Sequence, residues 1–178
     1  IQEPSAMAPV EFLDVKEGHR VLDICAAPGG KSTQIAAKLK GKGLLITNDI
    51  SPSRAGALVK NIELNGVRNN ITLSDSPEKI APRFTEFFDR ILVDAPCSGE
   101  GMFRKEPDVI KSWNEEKTEF CVNAQRDILE SCAKMLRPGG TMVYSTCTFS
   151  PEENEKTIND FLNSHSDFEI EAIPKNYG

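Results

Sequence analysis

Histidine is almost absent from this chain of 178 residues. Its two copies, His19 and His165, stand alone, and no two of the five cysteines (Cys25, Cys97, Cys121, Cys132, Cys147) form a CxxC pair. Zinc and a disulfide framework are therefore poor readings, and no metal is expected. No run of about 18 apolar residues occurs and no charged-then-apolar segment opens the chain, which argues against a membrane span or secretion and makes the cytoplasm the expected compartment. Positive charge is also short. Lys and Arg total 21 against 27 Asp and Glu, a net charge of −6, so this segment alone is no clamp for a polyanion, which must be gripped locally or by other parts of a protein. Linkers, repeats and low-complexity stretches are missing as well. What remains, 39% hydrophobic and 27% charged, is the composition of one globular domain, expected as a monomer. The chain opens on Ile1 rather than Met, so a piece of a longer protein is expected.

The pattern within that domain alternates. "HRVLDICA" (19–26) reads as a buried strand, followed by the turn "APGG" and a helix with Ile35 and Leu39 on one face. "GLLITNDI" (43–50) is a second strand. The helix after it has Ser51 as N-cap, Pro52 in its first position and Gly66 as terminator. "NITLSD" (70–75) and "FDRILVDAP" (88–96) are the third and fourth strands, and a long helix over 116–136 repeats Phe120, Ala124, Ile128, Cys132 and Leu136 every four residues. "GGTMVYSTC" (139–147) is the fifth strand. Ser150 and Glu153 are spaced as a capping box, and the alternation in "FEIEAI" (168–173) predicts a sixth strand. The implied fold class is α/β, a doubly wound, mostly parallel sheet, with ligands beyond the carboxyl ends of the strands.

Those ends carry chemistry: Asp23 and the loop "CAAPGGKS", Asp49, Asp75, then Asp94 to Cys97, then Thr146 and Cys147. Glycines allow close approach of a ligand, and Asp49, 20 residues after Gly29, stands where a ribose hydroxyl would be held. The GxGxxG of a pyrophosphate cradle is absent, and carboxylates repel a pyrophosphate. They suit S-adenosylmethionine, which has no phosphate and carries an ammonium and a sulfonium.

"VLDICAAPGGKSTQIA", "NDISPSRAGALVKNIELNG", "VDAPCSGEGMFRK" and "YSTCTFSPEENE" resemble the successive motifs of the NOL1/NOP2/sun family of RNA 5-methylcytosine methyltransferases, most of all its bacterial ribosomal RNA members. The resemblance runs from about residue 2 to residue 165. It implies a Rossmann-like S-adenosylmethionine-dependent methyltransferase fold. It also implies an RNA substrate, ribosomal RNA before tRNA. Cys25, Ala26, Ala27, Pro28, Gly29, Gly30 and Lys31, with Asp49, Asp75 and Asp94, would line the cofactor site, and Arg54 would neighbour it. Cys147 would be the nucleophile and Cys97 its helper. The family also implies an N-terminal lobe, an RNA-binding domain and a seventh, antiparallel strand, none visible in this sequence, so residues 1–178 are expected to be a catalytic core cut at both ends.

Two thiols have a chemical rationale. Carbon 5 of cytosine becomes nucleophilic only after a thiolate adds to carbon 6, and a base must later remove the carbon 5 proton. An acid near N3 would stabilise the adduct, and Asp94 is the best placed. The residues alone leave the choice of attacker open, since DNA cytosine methyltransferases use a Pro-Cys loop resembling Pro96–Cys97; the family resemblance favours Cys147. A helix N-terminus after Cys147 favours its thiolate, while Glu152, Glu153 and Glu155 oppose it. Lys31 reads equally as a contact to the base or a phosphate and as a solvated lysine. Arg104 and Lys105 read equally as phosphate contacts and as surface. Cys121 and Cys132 share a helix face and read as core. A nicotinamide oxidoreductase, which lacks its phosphate loop here, and a catalytically silent ribosome assembly factor, disfavoured by the two cysteines, are the rival classes.

Overall fold

The computed structural model describes residues 3–173. Its elements run α1 (Pro4–Phe12), β1 (Arg20–Asp23), α2 (Gly30–Leu39), β2 (Leu44–Asn48), α3 (Pro52–Leu64), β3 (Asn70–Leu73), α4 (Pro77–Ile80), β4 (Phe88–Asp94), α5 (Pro107–Ser112), α6 (Glu115–Met135), β5 (Leu136–Ser145) and α7 (Thr157–Ser164). Short 3-10 turns follow α4 and β4, and a π-helical turn, Glu152–Lys156, leads into α7.

Successive side chains of a strand point to opposite faces, which decides how the two helical layers form. Val21, Leu45 and Leu92 face Val10, Leu13, Ile35 and Leu39, from α1, the residue after it, and α2. Their neighbours Leu22, Ile46, Ile91 and Val93 face Ile128, Cys132 and Met135 of α6. Both faces are thus buried, as the near-continuous apolar runs require of a parallel sheet. The strand order is β3-β2-β1-β4-β5, with every pairing parallel. From β1 the chain winds outward through β2 and β3, then returns to the other side of β1 for β4 and β5. The switch point lies between β1 and β4, where Asp23 and Asp94 end their strands.

Several boundaries differ from the sequence reading for physical reasons. β5 begins at Leu136, and its register against β4 jumps between Phe88 and Arg90, so "RPGG" bulges out of the ladder. The N-cap Ser51 makes no side-chain cap bond; its hydroxyl meets that of Ser53 at 3.1 Å. Among the described residues the sixth strand does not form. Residues 168–173 have no strand pairing, Ile170 and Ile173 are exposed, and Phe168 instead packs edge-on against Phe161. Alternation signals one buried face, but a strand also needs a neighbour's backbone ladder, and among the described residues β5 pairs with β4 alone. α1 has no clear sequence signal because Pro9 interrupts it; it is held by burial of Val10.

Candidate active site

The turn between β1 and α2 is built by groups that reach in from neighbouring strands. Ala26 N–H donates to Asn48 O (2.8 Å), and the Asn48 amide donates to Ile24 O and Asp75 O (3.1 Å each) while accepting from Asp75 N–H (3.1 Å). This one buried side chain ties three strand-end loops together. Asn61 Nδ2 holds Pro28 O at 2.7 Å and an Arg54 guanidinium nitrogen holds Ala27 O at 3.0 Å. Gly29 has φ +107°, and a Cβ there would stand 3.0 Å from Leu58 Cδ1, so both conformation and space call for glycine. Gly30 and Lys31 open α2. The Cys25 thiol is pushed well above its ordinary range by burial and stays protonated.

The predicted acids divide. Asp23 is buried; Ser32 Oγ donates to its Oδ2 at 2.7 Å, its Oδ1 has no hydrogen-bond partner among the described residues, and burial, reinforced by the charges of Asp94 and Asp49, lifts its pKa to about 7. Asp49 is buried too, accepting from Ser51 N–H at Oδ1 (3.0 Å) with Arg54 3.3 Å from Oδ2. Asp75 is half exposed and turned toward Lys79 at 3.3 Å. A site with Asp23, Asp49 and Asp94 acting on one another, one oxygen unpartnered, and a glycine turn beside them fits a cationic, phosphate-free ligand such as S-adenosylmethionine and opposes a pyrophosphate. Among the described residues no group of three His, Cys, Asp or Glu could hold a metal ion.

At the ends of β4 and β5 the two cysteines meet. Cys97 Sγ lies 3.2 Å from Cys147 Sγ, and Cys147 N–H points at Cys97 Sγ from 3.4 Å. Beside them, Lys31 Nζ donates to Asp94 Oδ2 at 2.7 Å and Ser145 Oγ donates to Oδ1 at 2.8 Å. The thiols are unequal. A hydrogen bond from the Cys97 S–H lowers the Cys147 pKa to about 7 against burial and the charge of Asp94, with Lys31 assisting. Cys97 is driven the opposite way, first by that same bond and then by burial. The leading cause is the partner thiol, not the helix N-terminus or the glutamates that the sequence set against each other. Cys147 is also the exposed member of the pair.

Reaction of Cys147 with an alkylating reagent should therefore rise through an apparent pKa near 7, because the thiolate is the nucleophile and is lost as pH falls below that value. Cys97→Ala removes the first cause of the shift. Its profile should move toward the ordinary cysteine value of 9.0, read from alkylation rates across pH.

Other residues, unmarked in the sequence, weld the two cysteine loops. Gly101 N–H donates to Cys147 O (2.8 Å), Ser98 Oγ meets Thr148 Oγ1 (2.9 Å), and Glu100 Oε2 accepts from Thr148 Oγ1 (3.1 Å) and Phe149 N–H (3.0 Å). Glu153 makes half of its expected capping box: its N–H reaches Ser150 Oγ at 3.4 Å, but its carboxylate turns inward to Ser98 and Gln125. A buried Gln mid-helix and a Glu in an acidic run carry no signal of this in sequence. Arg104 and Lys105 are exposed, and Lys105 pairs with Glu3.

The family model described as 16S rRNA methyltransferase RsmB/F matches residues 10–177. The chain belongs to that family. The "Ribosomal RNA small subunit methyltransferase F" of Escherichia fergusonii is 46% identical over 157 residues, covering 87% of this chain and 33% of that protein. Among solved structures, PH0851 superposes with a TM-score of 0.93 at 35% identity over 100% of this chain and 40% of its own. NSun6 from Pyrococcus horikoshii, solved with SFG, superposes at 0.81 and 35% identity over 92% and 41%. The chain thus spans about a third of the length of the curated RsmB/F relatives it matches.

Proposed function

We propose that this RsmB/F-family chain is the catalytic core of an enzyme that methylates carbon 5 of a cytosine in RNA, ribosomal RNA before tRNA, through a covalent adduct with Cys147. The observation that carries the reading is the pair of thiols 3.2 Å apart beside the Lys31–Asp94 pair, an arrangement that lowers the Cys147 pKa and raises that of Cys97. S-adenosylmethionine supplies the methyl group when bound, held by the Cys25–Lys31 turn with Asp23, Asp49 and Asp94; SFG, found on a relative, is an analogue of it.

The thiol chemistry follows from the geometry. The Cys147 thiolate adds to carbon 6 and the ring electrons move toward N3 and O2, leaving carbon 5 enamine-like. Asp94 accepts at both oxygens, from Lys31 and Ser145, so the Lys31–Asp94 pair acts as one unit, Lys31 offering the proton that the N3 side takes up. Once the Cys147 sulfur is a neutral thioether, its hydrogen bond and charge, two of the three chief causes that hold the Cys97 pKa up, are gone. Cys97 then loses its proton to solvent and, once carbon 5 carries the methyl group and is tetrahedral, takes the carbon 5 proton. The carbon 5–carbon 6 double bond re-forms as the carbon 6–sulfur bond breaks, Cys147 leaves as thiolate, and N3 returns its proton to Lys31.

Two expected results follow for binding. Asp49→Ala should weaken S-adenosylhomocysteine binding by roughly 1–3 kcal/mol, the range for unpaired buried polar partners, by titration calorimetry; NAD should bind to neither protein. Unchanged affinity would place the ribose elsewhere. For RNA, affinity should fall steeply with salt in the full-length protein and only weakly in residues 1–178, whose net charge is −6. The function is tested by bisulfite sequencing of RNA from a strain deleted for the gene: one ribosomal cytosine should lose protection, whereas an unchanged pattern would favour the assembly-factor reading.

A further inference from the structure

Glu153 is a fully buried carboxylate whose hydrogen-bond donors among the described residues are neutral, Ser98 N–H and the Gln125 amide, and it takes no part in the thiol chemistry. Its oxygens accept from Ser98 N–H (3.0 and 3.3 Å), and Oε2 also accepts from Gln125 Nε2 (2.9 Å). Gln125, itself buried on α6, donates from the same amide nitrogen to Pro96 O at 2.8 Å. The residues on both sides of Cys97 are thus fastened to one carboxylate–amide pair. The Glu153 carbonyl meanwhile accepts from Tyr144 O–H at 2.6 Å, which roots it in β5, the strand that leads to Cys147. Ser98 Oγ closes the loop at Thr148, next to Cys147, at 2.9 Å. Burying a carboxylate without an ion pair is costly, and three N–H···O contacts to one group are the compensation.

We propose that Glu153, seated by Gln125, is a positioning residue that sets the Cys97 thiol against Cys147 and thereby governs release of the covalent RNA adduct. The proposal rests on the two-cysteine reading above. A carboxylate suits the task because both of its oxygens accept; a glutamine in its place presents an amide N–H to a donor, and Ser98 or Gln125 must turn away. The Cys97 loop then loses its anchor while Cys147, held separately through Gly101 and Glu100, keeps its place.

The test is Glu153→Gln in the full-length protein with substrate RNA. Turnover should drop on the order of 100-fold, the scale of a misplaced catalytic group, while KM for RNA and affinity for S-adenosylhomocysteine stay within about twofold. A slow-migrating protein–RNA band should accumulate on a denaturing gel, as for a protein whose Cys97 is absent. Without RNA, the alkylation profile of Cys147 should shift upward in pH, which reads the clamp even if the RNA reaction is misread. Gln125→Ala should reproduce band and shift more mildly and covers the case in which Glu153→Gln fails to fold. Wild-type turnover without adduct in Glu153→Gln, or lost cofactor affinity with an unshifted Cys147 profile in both variants, overturns the proposal. Wild-type protein that neither methylates nor forms adduct, with the Cys147 shift still present, overturns the two-cysteine reading instead.

Discussion

Cys147→Ala in the full-length protein is expected to leave no methyl transfer above background and no denaturant-resistant protein–RNA band. Cys97→Ala is expected to accumulate that band. Under the proposed roles the two differ in kind because they fail at different steps: one variant cannot form the bond to carbon 6, the other forms it but lacks the group that removes the carbon 5 proton. Loss of a nucleophile costs on the order of a millionfold in a well-studied catalytic triad, and effects within such a unit do not add. The double variant should therefore match Cys147→Ala. The structure adds a refinement. Cys97 also stabilises the Cys147 thiolate, so adduct formation in Cys97→Ala should be slow at neutral pH and recover as pH rises toward 9.0, the ordinary cysteine value. A time course on denaturing gels at two pH values reads both effects, and a band in Cys147→Ala would reverse the assignment.

The second large effect is expected from one methyl group. Gly101 passes so close to the Cys147 backbone that a Cβ would stand 2.6 Å from Cys147 O and 3.4 Å from Cys147 C. Neither atom is a side chain that can swing aside, and the Gly101 N–H to Cys147 O bond at 2.8 Å fixes the approach. Gly101→Ala should force the two loops apart, costing roughly 1–3 kcal/mol of stability as overpacking does. It should lower turnover on the order of 100-fold through misplaced thiols. Gly56, inside α3 with nothing within 4 Å of its would-be Cβ, supplies the control. The same substitution there should stabilise by about 0.5–1 kcal/mol, since alanine is the better helix former. Thermal melts and steady-state kinetics of both variants check the contrast; equal activity in the two would mean that the Gly101 approach is not required.

The fold was readable where local pattern and tertiary demand coincide. Apolar runs ending in Asp23, Asp49 and Asp94 became strands whose carboxyl ends gather at the switch point, and Cys97 and Cys147, 50 residues apart in the chain, meet there. Legibility stopped where one residue's role depends on distant partners. Alternation in 168–173 resembles an edge strand, yet among the described residues no neighbour offers it a ladder. Ser150 and Glu153 have capping-box spacing, but the buried Ser98 N–H and the Gln125 amide compete for the Glu153 carboxylate and win it. Asn48 looks like any polar strand-end residue until three loops are seen to hang on its amide. The helix N-terminus and the glutamates after it leave the Cys147 thiol undecided in sequence, because the leading cause of its lowered pKa is a sulfur 3.2 Å away, 50 residues earlier in the chain.

The central claim is that Cys147 carries the RNA while Cys97 stays free to release it. Wild-type full-length protein incubated with S-adenosylmethionine and substrate RNA containing 5-fluorocytosine, whose carbon 5 fluorine cannot be removed as a proton, should be trapped with both cysteines intact. Proteolysis and mass spectrometry then locate the nucleotide. It is expected on the peptide containing Cys147, with Cys97 recovered unmodified; a nucleotide on Cys97 would contradict the account and assign the attack to the Pro96–Cys97 loop.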